Sequence, residues 1–186
     1  SSLISIGKLA FYRSGITSVT SPEGLTSIGE LAFYRCSGLT SLEFPSSLTS
    51  IGESAFSCSG LTSVSFPEGL TSIGKLAFYS CAGLTSVEFP GSLSRIRDRA
   101  FGNCTSLTSV TLSEGLKSIG KFAFYRCTGL TSVKFPNSLS RIRHRAFIHC
   151  KSLSVLVPPC RVGPSAFTNC LLVINASGND ISGSVV

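Results

Sequence analysis

Apolar side chains return along this chain at a spacing longer than any single helix or strand uses. Leucines fall at Leu25, Leu48, Leu70, Leu93, Leu116 and Leu139, at intervals of 23, 22, 23, 23 and 23 residues. An Ala-Phe pair keeps step with them at Ala10-Phe11, Ala32-Phe33, Ala55-Phe56, Ala77-Phe78, Ala100-Phe101, Ala123-Phe124, Ala146-Phe147 and Ala166-Phe167. A fixed period of this length marks a repeat architecture, in which one unit has no closed core and only stacking buries its apolar columns. A second period lies over the first: residues 93–105 nearly match 139–151, and the copies between them carry Gly74-Lys75-Leu76 and Gly120-Lys121-Phe122 where the others carry arginines. Two alternating repeat types imply duplication of a two-repeat unit. The first repeat mixes both types and lacks the cysteine.

Within a repeat the local pattern predicts the elements. In Leu84-Thr85-Ser86-Val87-Glu88-Phe89-Pro90, Val87 and Phe89 alternate with polar residues as in a strand with one buried face. Pro90 cannot donate to a ladder and ends that strand. Stacked copies then pair as a parallel sheet advancing ~4.8 Å per repeat. The return path predicts a second short extended stretch, with Ile28, Ile51, Ile73, Ile96, Ile119 and Ile142 pointing inward. Ala-Phe-x-x-Cys suits one helical or 3₁₀ turn. Gly29, Gly52, Gly74 and Gly120 follow the isoleucines and are expected to serve a turn.

The frame L-x-x-I-x-x-x-A-F-x-x-C-x-x-L-x-x-V-x-F-P, nearly unbroken over residues 25–157 and weaker over 1–24 and 158–174, resembles the BspA-type leucine-rich repeat family. The resemblance implies a leucine-rich-repeat solenoid: a curved parallel β-sheet on the concave side, with short second strands and 3₁₀ or single helical turns elsewhere. It also implies an interaction role, because family members include surface-exposed or secreted proteins that bind host or matrix proteins. Cell-surface or secreted localisation is suggested by the resemblance alone. The expected organisation is one solenoid of about eight repeats over 1–174 and an irregular tail over 175–186. Residues 158–164 shorten the last step, with Pro159 where a leucine is expected. No dedicated cap is evident at the N-terminal end, so self-association through the solenoid ends is an expectation.

Composition sharpens this picture. Charged residues make up 13%, against roughly 25% in ordinary soluble domains, so serine and threonine must supply the polar surface. Residues 1–92 carry four basic and six acidic side chains, whereas 93–186 carry twelve and three. The basic half bears on partners or solubility and not on fold. No apolar run is long enough for a membrane span, and the N-terminal residues do not read as a signal peptide.

Three surfaces are candidate sites. The first is the concave face, where the predicted outward residues are Thr40, Ser41 and Glu43; Thr62, Ser63 and Ser65; Thr85, Ser86 and Glu88; Thr108, Ser109 and Thr111; and Thr131, Ser132 and Lys134. Each rung offers the same hydroxyls, which suits an extended protein partner; equally, threonine is a good strand residue copied by duplication. The second is basic: Arg95, Arg97 and Arg99 correspond to Arg141, Arg143 and Arg145, with clusters about 10 Å apart and Lys117 and Lys121 between them. Such a patch can hold an acidic glycan or another polyanion, or merely keep a charge-poor protein soluble. No aromatic residue is expected to alternate with these arginines at their own positions, which disfavours single-stranded nucleic acid. The third is a convex stripe pairing Leu31 with Tyr34, Leu76 with Tyr79 and Phe122 with Tyr125, either a contact site or packing over the turns.

Seven of the eight cysteines are read as one repeat position: Cys36, Cys58, Cys81, Cys104, Cys127, Cys150 and Cys170. Residues stacked in register do not aim at one another, so a buried ladder of reduced thiols is expected, with Cys160–Cys170 as the one alternative bond. No ligand spacing for a metal is present and no cofactor is implied. The two histidines, His144 and His149, share one repeat; no nucleophile elbow or phosphate-cradling glycine motif occurs, and an enzyme is not expected. Two sequons, Asn103-Cys104-Thr105 and Asn175-Ala176-Ser177, are compatible with secretion without establishing it. Three readings follow: a protein-interaction or adhesion module, a polyanion-binding module, and a structural spacer of a longer repeat protein.

Overall fold

The computed structural model describes residues 3–175 and 177–182. Short parallel strands form two columns, the first with a rung in every repeat and the second beginning at the third repeat. The first column runs β1 (Ser5–Ile6), β2 (Ser27–Ile28), β3 (Ser50–Ile51), β5 (Ser72–Ile73), β7 (Arg95–Ile96), β9 (Ser118–Ile119), β11 (Arg141–Ile142) and β13 (Arg161–Val162). Its ladder is hydrogen-bonded from β1 to β5 and again from β7 to β13. The second column runs β4 (Val64–Ser65), β6 (Ser86–Glu88), β8 (Ser109–Thr111), β10 (Ser132–Lys134), β12 (Ser154–Leu156) and β14 (Leu172–Ile174), laddered as β4 to β10 and as β12 with β14. Serine pairs with serine and isoleucine with isoleucine, as at Ser27↔Ser50 and Ile28↔Ile51. The repeat register read from the leucines is thus the register of the sheet.

The Ala-Phe segments make neither an α- nor a 3₁₀-helix among the described residues. They do make i→i−3 turns, such as the Tyr34 N–H donating to the Leu31 carbonyl. A helix cannot propagate, because the residue before each alanine and the residue two after each phenylalanine adopt positive φ: Leu31 at 58° and Arg35 at 57° in one repeat, Phe122 at 56° and Arg126 at 57° in another. The intervening N–H groups donate onward instead. Leu31, Phe33 and Arg35 bond to the carbonyls of Glu53, Ala55 and Ser57 in the next repeat. This third ladder points opposite to the strand columns, where Gly52 donates back to Ile28. Backbone polar groups are therefore satisfied between repeats on every side, which is what lets so little regular structure fold.

The core is two rows of phenylalanines. One row stacks along the solenoid from Phe11 through Phe33, Phe56, Phe78, Phe101, Phe124 and Phe147 to Phe167, with centroids 5.0–5.9 Å apart. That spacing follows the inter-strand distance. The strand phenylalanines meet this row edge-on, Phe66 on Phe78 at 68° and Phe89 on Phe101 at 85°. Each such pair is worth about 0.5–1.5 kcal/mol beyond its buried area. Leucine and isoleucine columns fill the remainder, Leu70 and Ile96 being fully buried.

One expectation about small residues is sharpened and another corrected. Gly29, Gly52, Gly74 and Gly120 do open the turns, their carbonyls accepting the N–H of Ala32, Ala55, Ala77 and Ala123, but none has a positive φ that would require glycine. A Cβ there would lie 2.5–2.7 Å from the backbone of the preceding repeat, so close stacking excludes a side chain. Cys58 is not in the cysteine column. It stands two residues after Phe56, at φ 58°, in the slot held by Arg35 and Asn103. Ser59 occupies the buried thiol position and contacts the Cys81 sulfur at 3.4 Å. Apolar side chains are exposed at both ends, Leu3 and Ile4 at one and Leu156 and Leu171 at the other. Of the expected tail, Ala176 and residues 183–186 lie outside the described residues, and with Ala176 the second sequon.

Candidate functional site

The second strand column carries the candidate protein-binding face. Along each rung the pleat turns Val87, Val110 and Val133 inward and leaves Ser86 and Glu88, Ser109 and Thr111, and Ser132 and Lys134 exposed. Thr40, Ser41, Glu43, Thr62, Ser63, Ser65, Thr85, Thr108 and Thr131 are exposed as well. The pairing Ser86↔Ser109↔Ser132 lines these hydroxyls up one rung apart. Two shallow hollows open on this face. One, of about 560 Å³, is bordered by Ser41, Glu43, Ser63 and Ser65. The other, of about 480 Å³, is bordered by Ser65, Ser86, Glu88, Ser109 and Thr111.

The two hydroxyls of a rung are not equivalent. Thr62, Thr85 and Thr108 donate their Oγ1 hydrogens to the carbonyls of Thr40, Thr62 and Thr85, one repeat back, at 3.1–3.2 Å. Thr49 and Thr71 do the same at the mouth of the first column. These threonines fasten neighbouring repeats by adding a second hydrogen bond to a carbonyl that already accepts the same threonine's N–H. The serines beside them, Ser63, Ser86 and Ser109, make no side-chain hydrogen bond among the described residues and keep both donor and acceptor for a partner.

The basic candidates divide between two surfaces. Arg95 and Arg141 are outward on β7 and β11 while Ile96 and Ile142 are fully buried. Both pair across Ser118, and Arg141 pairs directly with Arg161. Arg161 was not legible as a member of this row because the last repeat is three residues shorter; the register of β13 supplies it. Arg97, Lys117 and Lys121 are exposed nearby. Arg143 is partly neutralised by Asp98 at 3.9 Å, whose Oδ1 also accepts the Lys121 N–H. Arg99 and Arg145 lie elsewhere, on the turn ladder, in the slot immediately before each alanine. Phe122 fills that slot in the repeat between them, so an aromatic does alternate with arginine, contrary to the expectation from sequence. The Arg99 and Arg145 guanidinium carbons stand 5.2 and 5.8 Å from the Phe122 ring centre. Counting three residues on from Ile96, Ile119 and Ile142 gives Arg99, Phe122 and Arg145, so the alternation stands in the sequence itself. The stripe of Leu31, Tyr34, Leu76, Tyr79, Phe122 and Tyr125 is half-buried on the same ladder.

The cysteines are unbonded, Cys160 and Cys170 included. The column thiols donate to phenylalanine carbonyls one repeat back, Cys104 to Phe78 and Cys127 to Phe101, both at 3.2 Å. Burial pushes Cys81, Cys127 and Cys170 up to about 12. These are structural hydrogen-bond donors and not nucleophiles. Asn169 donates from Nδ2 to His149 Nδ1 at 2.9 Å, and His144 packs edge-on to Phe122. In the first sequon, Asn103 donates from Nδ2 to the Ser80 hydroxyl, and Cys104 is fully buried. No cluster of three metal-ligating side chains occurs among the described residues. Among the described residues no helix is long and apolar enough to cross a membrane.

Comparison with known proteins places this geometry. A leucine-rich repeat protein of T. pallidum is 31% identical, over 89% of this chain and 80% of its own, with a TM-score of 0.82. A leucine-rich repeat protein of Bacteroides ovatus is 30% identical over 84% of this chain, with a TM-score of 0.68; the chain spans about half (47%) of that protein. The pneumococcal vaccine antigen PcpA, 23% identical over 93% of this chain and 54% of its own, shares the fold at a TM-score of 0.59. No curated protein matches the sequence. The profile of the BspA type leucine rich repeat region matches in six copies, across residues 1–108 and 71–179. The chain therefore belongs to the BspA-type leucine-rich repeat family.

Proposed function

We propose that this chain is a protein-interaction or adhesion module, seating an extended segment of a partner protein along the outward face of β4, β6, β8 and β10. The observation that carries the reading is the division of labour within the β4, β6 and β8 rungs. The threonine hydroxyl is spent between repeats, and the adjacent serine hydroxyl is left free beside two hollows. A partner strand would meet one free hydroxyl every ~4.8 Å, with Glu43 and Glu88 toward one end and Lys134 toward the other. An interaction role also accords with the solenoid family, and catalysis finds no support in a polar surface whose residues mostly belong to repeated slots. Surface plasmon resonance against immobilised extracellular-matrix proteins tests it. Ser86→Arg with Ser109→Arg should abolish a binding signal that Arg95→Ser with Arg141→Ser leaves intact.

The register Arg95↔Ser118↔Arg141↔Arg161 favours a second reading, in which this row and Lys117 hold an acidic glycan or another polyanion. Polyanion binding weakens steeply with salt because condensed counterions are released. Retention on heparin that falls with salt and vanishes when Arg95, Arg97, Arg99, Arg141, Arg143 and Arg145 become serine would establish this reading over the first.

A further inference from the structure

The turn ladder carries a hollow that neither reading uses. It has a volume of about 690 Å³ and is bordered by Tyr79, Arg99, Phe122, Tyr125, Arg145 and His149, with Leu76 and Ile148 behind them. Its two cations are held in place: both guanidinium groups lie against the one Phe122 ring, and Phe122 stands edge-on to Tyr125. Arg99 and Arg145 form no ion pair among the described residues, where the pairs are Lys8–Glu30 and Arg143–Asp98. Their backbones explain why they project. Arg99, Phe122 and Arg145 adopt φ of 57°, 56° and 55°, which lifts each side chain off the ladder. No carboxylate borders the hollow. Its wall is therefore aromatic and aliphatic, with positive charge and no internal counter-charge.

That composition selects among anions. A small inorganic anion would use the arginines and leave the aromatic wall in contact with water. A flexible sulfated sugar chain would use the charge and gain little from Tyr79, Phe122 and Ile148. An aromatic ring bearing an anionic ester would use both: the ring packs against the wall, and the ester oxygens accept from the guanidinium forks. We propose that this hollow binds an aryl sulfate or aryl phosphate, presented as a modified tyrosine side chain on a partner protein. The shared chemistry is a planar ring with a terminal oxyanion; sulfate and phosphate are its two sources. The site is separate from the strand face, so its failure and that of the strand-face reading are distinguishable.

Fluorescence anisotropy with three labelled peptides of one neutral sequence tests the proposal, the central residue being tyrosine, sulfotyrosine or phosphotyrosine. At least one modified peptide should bind ten or more times as tightly as the unmodified one, and which of them does so names the source. Arg99→Lys with Arg145→Lys keeps the charge and loses the fork geometry, and it should weaken binding about tenfold. Phe122→Ala should weaken it comparably, Phe122→Tyr should preserve it, and Arg95→Ser with Arg141→Ser should leave it unchanged. Circular dichroism and thermal melting of each variant separate lost binding from lost folding, with the lysine pair as the variant that leaves the core intact. Three results would overturn the proposal: equal binding of the three peptides, displacement by inorganic sulfate or heparin at equal charge concentration, or sensitivity to the Arg95/Arg141 pair.

Discussion

The Cys104 thiol donates to the carbonyl oxygen of Phe78, one repeat back, at 3.2 Å. The same bond recurs from Cys81 to Phe56, Cys127 to Phe101 and Cys150 to Phe124. A small buried side chain here fills the space beside the phenylalanine row and gives a second hydrogen bond to a buried carbonyl that already accepts the Cys81 N–H. Cys104→Ala removes both and should cost about 1–2 kcal/mol. Cys104→Ser keeps a donor and should cost roughly half of that, as the natural Ser59 in the same column suggests. Urea denaturation of the two variants checks the order; an alanine variant as stable as wild type would contradict it.

Thiol burial sets a pH limit. Cys81 and Cys127 rise from an ordinary value of 9.0 to about 12 because burial penalises the thiolate. Below about pH 9 the folded and unfolded chains both hold these protons and the thiols contribute no slope. Between about pH 9 and pH 12 the unfolded chain loses protons that the folded chain keeps, so stability falls as pH rises. Each thiol contributes at most about 1.4 kcal/mol per pH unit in that window. Urea midpoints at pH 7.5, 9 and 10 should drop at the alkaline end, and Cys81→Ser with Cys127→Ser should flatten the drop.

Left-handed backbone at ordinary residues is a cost the fold carries in every repeat. Ser54 sits at φ 54° with an onward bond from its N–H to Lys75. Ser54→Gly relieves the steric penalty while adding unfolded-state freedom, for a net gain of about 0.5–1 kcal/mol. Ser54→Val adds a branched Cβ at the same φ and should lose about 1–2 kcal/mol. Opposite shifts in melting temperature are the expected result.

The phenylalanine row should behave as a chain of nearest-neighbour couplings. Phe101 stacks on Phe78 and Phe124 and receives Phe89 edge-on. Phe101→Ala should cost about 3–5 kcal/mol and broaden the unfolding transition by letting the two ends melt apart. Phe11→Ala, at the less buried end of the row, should cost less and leave one transition. Calorimetry distinguishes these outcomes.

Much of this architecture was written in the sequence because duplication repeats each structural demand. Ile28, Ile51 and Ile73 recur because one inward slot is filled on every rung, and Leu25, Leu48 and Leu70 for the same reason. The misreadings arose where spacing and geometry part company. Cys58 has the right neighbours but stands one residue early, two after Phe56 where the frame needs three, and the structure puts Ser59 in the buried slot. Gly52 does open a turn, but what requires glycine there is the backbone of Gly29 against its missing Cβ. Arg161 was hidden by a shortened repeat, whereas the Arg99–Phe122–Arg145 alternation stands in the sequence, three residues after Ile96, Ile119 and Ile142. The commitment of Thr85 but not Ser86 to the neighbouring repeat has no signature in composition at all.

The most direct test of the account is one binding curve recorded three times. A matrix protein that binds this chain is titrated against wild type, the Ser86→Arg/Ser109→Arg variant and the variant with all six of Arg95, Arg97, Arg99, Arg141, Arg143 and Arg145 changed to serine, each at low and at physiological salt. The account predicts that binding is lost only in the serine-to-arginine variant and changes little with salt. Binding that survives in that variant, and disappears in salt or with the arginines, would contradict it.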